Sequence, residues 1–189
     1  MKKSLRALVL CQAIACVGIA PSGCGGGDAP DAADTATAGG AASSMINALG
    51  AGREAGAVGT LRAIVSGQIA FAVTCANGGY AQAFADLVKP PRGSSAAFIP
   101  ADLAADGAVR FSYAFTMRGG DGTAVVTNAA ETCNGSERDA VSSFFAEGHP
   151  ADRTLPGRRS FAVDERGKIY VRADGEPIVP GMAGAGEFN

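Results

Sequence analysis

At 189 residues, with 16 Lys and Arg against 18 Asp and Glu, the chain is about one domain long and weakly acidic, with a formal charge of −2. It has no Trp and no basic stripe with interleaved aromatics, so it lacks the electrostatic footprint of a nucleic-acid partner. His149 is the only histidine, which disfavours His-based metal sites, and no serine lies in a Gly-x-Ser-x-Gly elbow.

The N-terminus reads as an export signal over residues 1–23. Lys2, Lys3 and Arg6 form a basic start, residues 7–19 are apolar but too short to span a bilayer, and Ser22 and Gly23 are small. Without the signal, 13 basic and 18 acidic residues leave a charge of −5. The run APSGCGGGD resembles a bacterial lipoprotein signal, which makes Cys24 the lipidated first residue. Pro21 stands where that pattern prefers an aliphatic residue. AIAC with Cys16 modified, and plain cleavage without lipid, stay open as alternatives. Gly25 replaces the aspartate of inner-membrane retention, so the resemblance implies a membrane partner through the lipid and an outer-membrane location.

Residues 24–42 contain no large apolar side chain and read as a flexible tether. Asp28, Asp31 and Asp34 recur every third residue without the glycine and glutamate of a calcium loop, so no metal is expected there. Of five cysteines, Cys11 and Cys16 leave with the signal, Cys24 takes the lipid, and Cys75 and Cys133 remain as an even pair in an oxidising compartment. A disulfide between them would restrict the unfolded chain by roughly 4 kcal/mol.

The folded domain is expected over residues 43–177. Ser43 and Ser44 are expected to cap the helix that follows, and the glycines from Gly50 to Gly67 to weaken its first turns. The strongest helical period runs from Val58 to Cys75, with Val58, Leu61, Ile64, Val65, Ile69, Phe71, Ala72 and Cys75 on one arc. Gln68 lies within that arc and needs hydrogen-bond partners, so it is expected to link the helix to a strand or loop. Asn77, Gly78 and Gly79 end the helix, and a short second helix fits Tyr80 to Leu87.

The sheet is expected to begin at Val109, with Val109, Phe111, Tyr113, Phe115 and Met117 facing the core. The run Gly119 to Gly122 reads as a hairpin turn to a partner strand over residues 123–127. Residues 141–146 give a third strand. Residues 160–163 and 168–171 form a second hairpin, and residues 178–189 read as a disordered tail.

The search for chemistry finds no catalytic residues. Asp164 and Glu165 sit in a turn that favours acids. Asn134 matches a glycosylation acceptor without supporting context, and Arg153, Arg158, Arg159 and Arg166 surround a hairpin as solvated charge. No cofactor is implied.

Three phrases, EAGAVGTLRAIVSGQIAFAVTCANGGYAQAFADL, DLAADGAVRFSYAFTM and RRSFAVDERGKIYVRADGEPI, together resemble the periplasmic heads of type IV pilins and type II secretion pseudopilins. The resemblance implies an α+β fold with an N-terminal helix across an antiparallel sheet of about four strands, and Cys75 and Cys133 match positions where cysteines staple loop to helix. It departs from the family at the N-terminus, where the prepilin leader and long hydrophobic helix start are replaced by a short signal, Cys24 and a tether. The function it implies is non-enzymatic: a lipid-anchored envelope protein acting on pilus, secretion or adhesion partners. A small-ligand or glycan-binding module is the alternative.

Overall fold

The computed structural model describes residues 34–182 and 185–187, so the signal over residues 1–23, lipidation at Cys24 or Cys16 and the first part of the tether lie outside the described residues. Helix α1 runs Asp34–Thr74 and α2 Phe84–Val88. The strands are β1 Ala108–Arg110, β2 Tyr113–Gly119, β3 Val125–Thr127, β4 Ala140–Val141, β5 Phe144–Pro150, β6 Ser160–Asp164, β7 Ile169–Arg172 and β8 Gly186–Glu187. The fold is α+β. Its main sheet is antiparallel with order β1-β2-β5-β6-β7-β8, and β3 and β4 pair separately, so six strands plus two replace the expected four.

The core forms where α1 lies on one face of this sheet. Leu61, Ile64 and Phe71 are 0% exposed and join Tyr113, Phe115, Phe144 and Phe161 in one cluster. The expected arc holds for most of its members, but Ile69 is 50% exposed and turned away from the sheet. Gln68 forms the expected link. Its Oε1 accepts from Ala81 N–H at 2.8 Å, and its Nε2 donates to Ala81 O at 2.8 Å and to Met117 Sδ at 3.1 Å. The helix ends where Gly78, at φ +92°, donates its N–H to Ala72 O at 2.8 Å.

Four local expectations change. First, α1 begins at Asp34, so residues 34–42, read as tether, are helical and continuous with the rest; each added residue extends an existing ladder without a new nucleation cost.

Second, the strand expected from Val109 to Met117 folds back on itself. Phe111 (φ +50°) and Ser112 (φ +64°) form a two-residue hairpin turn between Arg110 and Tyr113, so Val109 and Phe111 point to solvent instead of the core. Tight hairpins of this kind need both central residues left-handed.

Third, the Gly119–Gly122 turn leads away from the main sheet. The next segment pairs as β3 with β4, while β2 takes β5 as its long partner, from Tyr113↔Pro150 to Gly119↔Phe144. The β6–β7 hairpin forms with Val163 opposite Ile169.

Fourth, the C-terminal segment packs instead of fraying. Ile178 is 2% exposed against Phe145 and Ala162 on the outer sheet face, and β8 pairs with β7. With α1 on one side and this segment on the other, β6 is buried at all five positions.

Candidate functional site: an apolar groove beside the free half of α1

Close backbone contacts hold α1 to the head near its middle. A Cβ at Gly50 would lie 2.9 Å from Gly157 N, so the helix crosses the turn at Pro156 on bare backbone, and Gly157 takes φ +88° to permit it. Arg53 Nη1 donates to Pro156 O at 3.2 Å, and Arg159 Nε donates to Glu54 Oε2 at 2.9 Å. N-terminal to these ties the helix leaves the head. Met45, Ile46 and Leu49 are 68%, 53% and 59% exposed.

The wall of the groove comes from the β1–β2 turn. Phe111 is a bulky residue in the left-handed region, a conformation that costs of order 1–3 kcal/mol and persists only where its surroundings impose it. Its ring lies directly on Gly56, where an added Cβ would meet the ring at 2.5 Å, yet it stays 54% exposed. Arg110 stacks on the ring at 5.7 Å and pairs with Asp102 at 3.0 Å, steadying the turn. Together Met45, Ala48, Leu49, Gly52, Arg53 and Phe111 line a groove of about 480 Å³. It can seat apolar side chains or a helix face; it offers no nucleophile and no general acid.

The positions singled out in the sequence do not converge on this groove. Cys75 and Cys133 come together at the other end of α1, with sulfurs at 2.10 Å and Cα atoms at 4.6 Å, and Cys133 N–H donates to Cys75 O at 3.0 Å. Asn134 is 5% exposed. Its amide donates to Asp86 O and Lys89 O and accepts from Ser136, so its role is to hold the loop. Arg153 pairs with Glu176, Arg159 with Glu54 and Arg166 with Asp164, three separate ion pairs.

His149 and Glu147 form the one acid–imidazole contact, 3.0 Å on the outer sheet face. Burial pushes the Glu147 carboxyl above its usual range, against the opposing pull of His149, Thr116 and the Ile178 N–H. Ser160 is at the next register position on β6, but its Oγ is fully buried and bonds to nothing, so it does not complete a nucleophilic triad. Glu147 fastens the C-terminal segment to the sheet through the Ile178 N–H.

Beside that segment a second cavity of about 480 Å³ is lined by Ser143, Phe145, Asp164, Arg166, Tyr170 and Met182, among others. Asp164 is committed there. Burial raises its carboxyl, but donors from Arg166 and Tyr170 outweigh this and hold it below the usual range. Among the described residues, no group of three or more His, Cys, Asp and Glu is placed to hold a metal.

No protein-family model, curated protein or solved structure matches the chain. The groove itself escaped the sequence reading, because Phe111 fits an alternating strand pattern and Phe-Ser is not a usual hairpin pair. The signal that could have found it is the uncharged run from Thr35 to Gly52.

Proposed function

We propose that this chain is a non-enzymatic, lipid-anchored, pilin-like envelope protein that works through protein–protein contacts in pilus or secretion assembly or in adhesion. The observation that carries the contact part is the groove beside α1. An apolar helix face, continuous with a half-exposed Phe111 held in a costly conformation, marks a surface made to be covered. The helix laid across an antiparallel sheet, with Cys75 and Cys133 joining its end to a loop, is in keeping with a pilin-like head. One helix, over residues 40–74, is also long and apolar enough to cross a membrane by length and composition, but half of its most apolar window is buried in the domain, which fits a core helix equally well.

The test is photocrosslinking in cells, with a diazirine amino acid at Leu49 and, as control, at the exposed Arg138 in the Cys133 loop at the other end of α1. Adducts to an envelope protein from position 49 alone are expected. The cavity beside Tyr170 and Met182 favours a second reading, a binding module for a small ligand or glycan. Silence at position 49, combined with a thermal shift of the protein by an oligosaccharide, would replace the first reading with the second.

A further inference from the structure

We propose that the occupant of the groove is a second copy of this chain, bound through an antiparallel pairing of the two α1 helices about a two-fold axis near Ala48 and Leu49. This rests on the protein-contact reading above and names its partner.

Three observations lead there. The first is shape. The groove holds both protruding groups, Met45 and Leu49, and bare positions, Ala48 and Gly52, on the same helix face. With the axis between positions 48 and 49, Met45 of each copy meets Gly52 of the other and Leu49 meets Ala48, so one patch supplies knob and hole twice. A two-fold interface requires this self-complementarity. The same register brings the Phe111 ring, seated on Gly56, over position 41 of the second copy, an exposed alanine.

The second is charge. From Thr35 to Gly52 the helix carries no ionisable residue, while the chain as a whole is acidic. The one charge in the groove lining, Arg53, donates to Pro156 O, so a basic or acidic partner finds little to pair with, whereas an identical copy meets no like-charge repulsion from residues 35–52. Antiparallel helices also place opposite dipole ends side by side.

The third is reach. The outer side of α1 from Ala41 through Met45, Ala48, Gly52, Ala55 and Gly59 to Arg62 is exposed throughout, about 32 Å of helix at 1.5 Å per residue. That is long enough for ridges-into-grooves packing, with axes about 8–10 Å apart where the contact residues are small.

The experiment uses the full chain in mild detergent. Sedimentation or light scattering should give a dimer, and Leu49→Lys should weaken it at least tenfold; Leu49 is exposed, so the head should keep its circular dichroism and melting temperature. A nitroxide on a keto amino acid at position 66 should then read roughly 50 Å between copies, from 1.5 Å per residue on either side of the axis. A parallel pairing would instead give a separation near the interaxial distance, roughly 10 Å.

A monomer at hundreds of micromolar overturns the proposal, as does a dimer indifferent to Leu49→Lys or the short spin distance. If the purified chain is monomeric but position 49 still crosslinks to a different envelope protein, the second copy is wrong and the contact reading stands. If neither occurs, both fail.

Discussion

The two halves of α1 belong to one continuous helix but have opposite surroundings. From Leu61 to Cys75 the helix is tied by apolar packing under the sheet, by the Gln68 amide bonded to both backbone groups of Ala81, and by the disulfide at its end. From Gly40 to Leu49 every residue is exposed. Helical propensity does not explain the difference, since glycines and small residues are scattered through both halves. Tertiary contact does, and a helix held only by its own hydrogen bonds is the weaker unit.

Truncations on the two sides should therefore give very different losses. Phe71 is fully buried and meets Phe98 edge-on at 5.4 Å, so Phe71→Ala should cost about 3–5 kcal/mol in urea unfolding. Leu49→Ala, a smaller truncation at an exposed site, should stay within about 0.5 kcal/mol at concentrations where the chain is monomeric. Equal losses would mean that the free half is folded against the head in solution.

The disulfide is the next anchor to remove. Cys75→Ser with Cys133→Ser opens a loop with a sequence separation of 58, which the chain-entropy model values at about 4 kcal/mol, and measured losses for native disulfides run from about 2 to 5. The loss should appear as a lower melting temperature, with faster amide exchange around Thr132 to Asp139. Exchange in the Gly40–Leu49 stretch, already exposed, should not change.

What could be read in the sequence divides along the same line. The anchored side was legible because its signals are local or paired: the apolar period of the helix, the Asn-Gly-Gly stop, the even cysteine pair, and the polar Gln68 inside an apolar arc that had to find partners. The β6–β7 hairpin was legible from its turn residues. The free side was not. A run of alanine, glycine and serine lacks the bulk to predict packing, so residues 34–42 looked like tether, although nothing in them breaks a helix already begun. Phe111 and Ser112 satisfied a strand pattern, while the competing hairpin is stabilised by the β2–β5 register, which is fixed by residues far along the chain. Ile178 looked like part of a tail because the outer sheet face it covers, between Phe145 and Ala162, exists only after folding.

Not every tie on the anchored side is stabilising, and the smallest predicted effect isolates one that is not. Asp86, in α2, is 1% exposed. Its Oδ1 accepts from Glu137 N–H at 2.6 Å, while its Oδ2 is buried without a partner. Burial raises its carboxyl above the usual value near 3.8, more strongly than the Glu137 and Arg138 N–H groups lower it. The native state thus keeps the proton over a pH range in which the unfolded chain has released it. In that window the native state binds more protons, so stability falls as pH rises from about 3.8 through the native value, and the cost is complete above it. Asp86→Asn keeps an acceptor for Glu137 and cannot ionise. Its stability relative to wild type should therefore climb with pH across that window and level off above it. Urea unfolding of both proteins at pH 4 and pH 7 measures this directly, because Asp164 and Glu147 titrate alike in the two and cancel in the difference. A variant that loses ground to wild type as pH rises would show that the Asp86 anion is held by its N–H donors more strongly than burial opposes it.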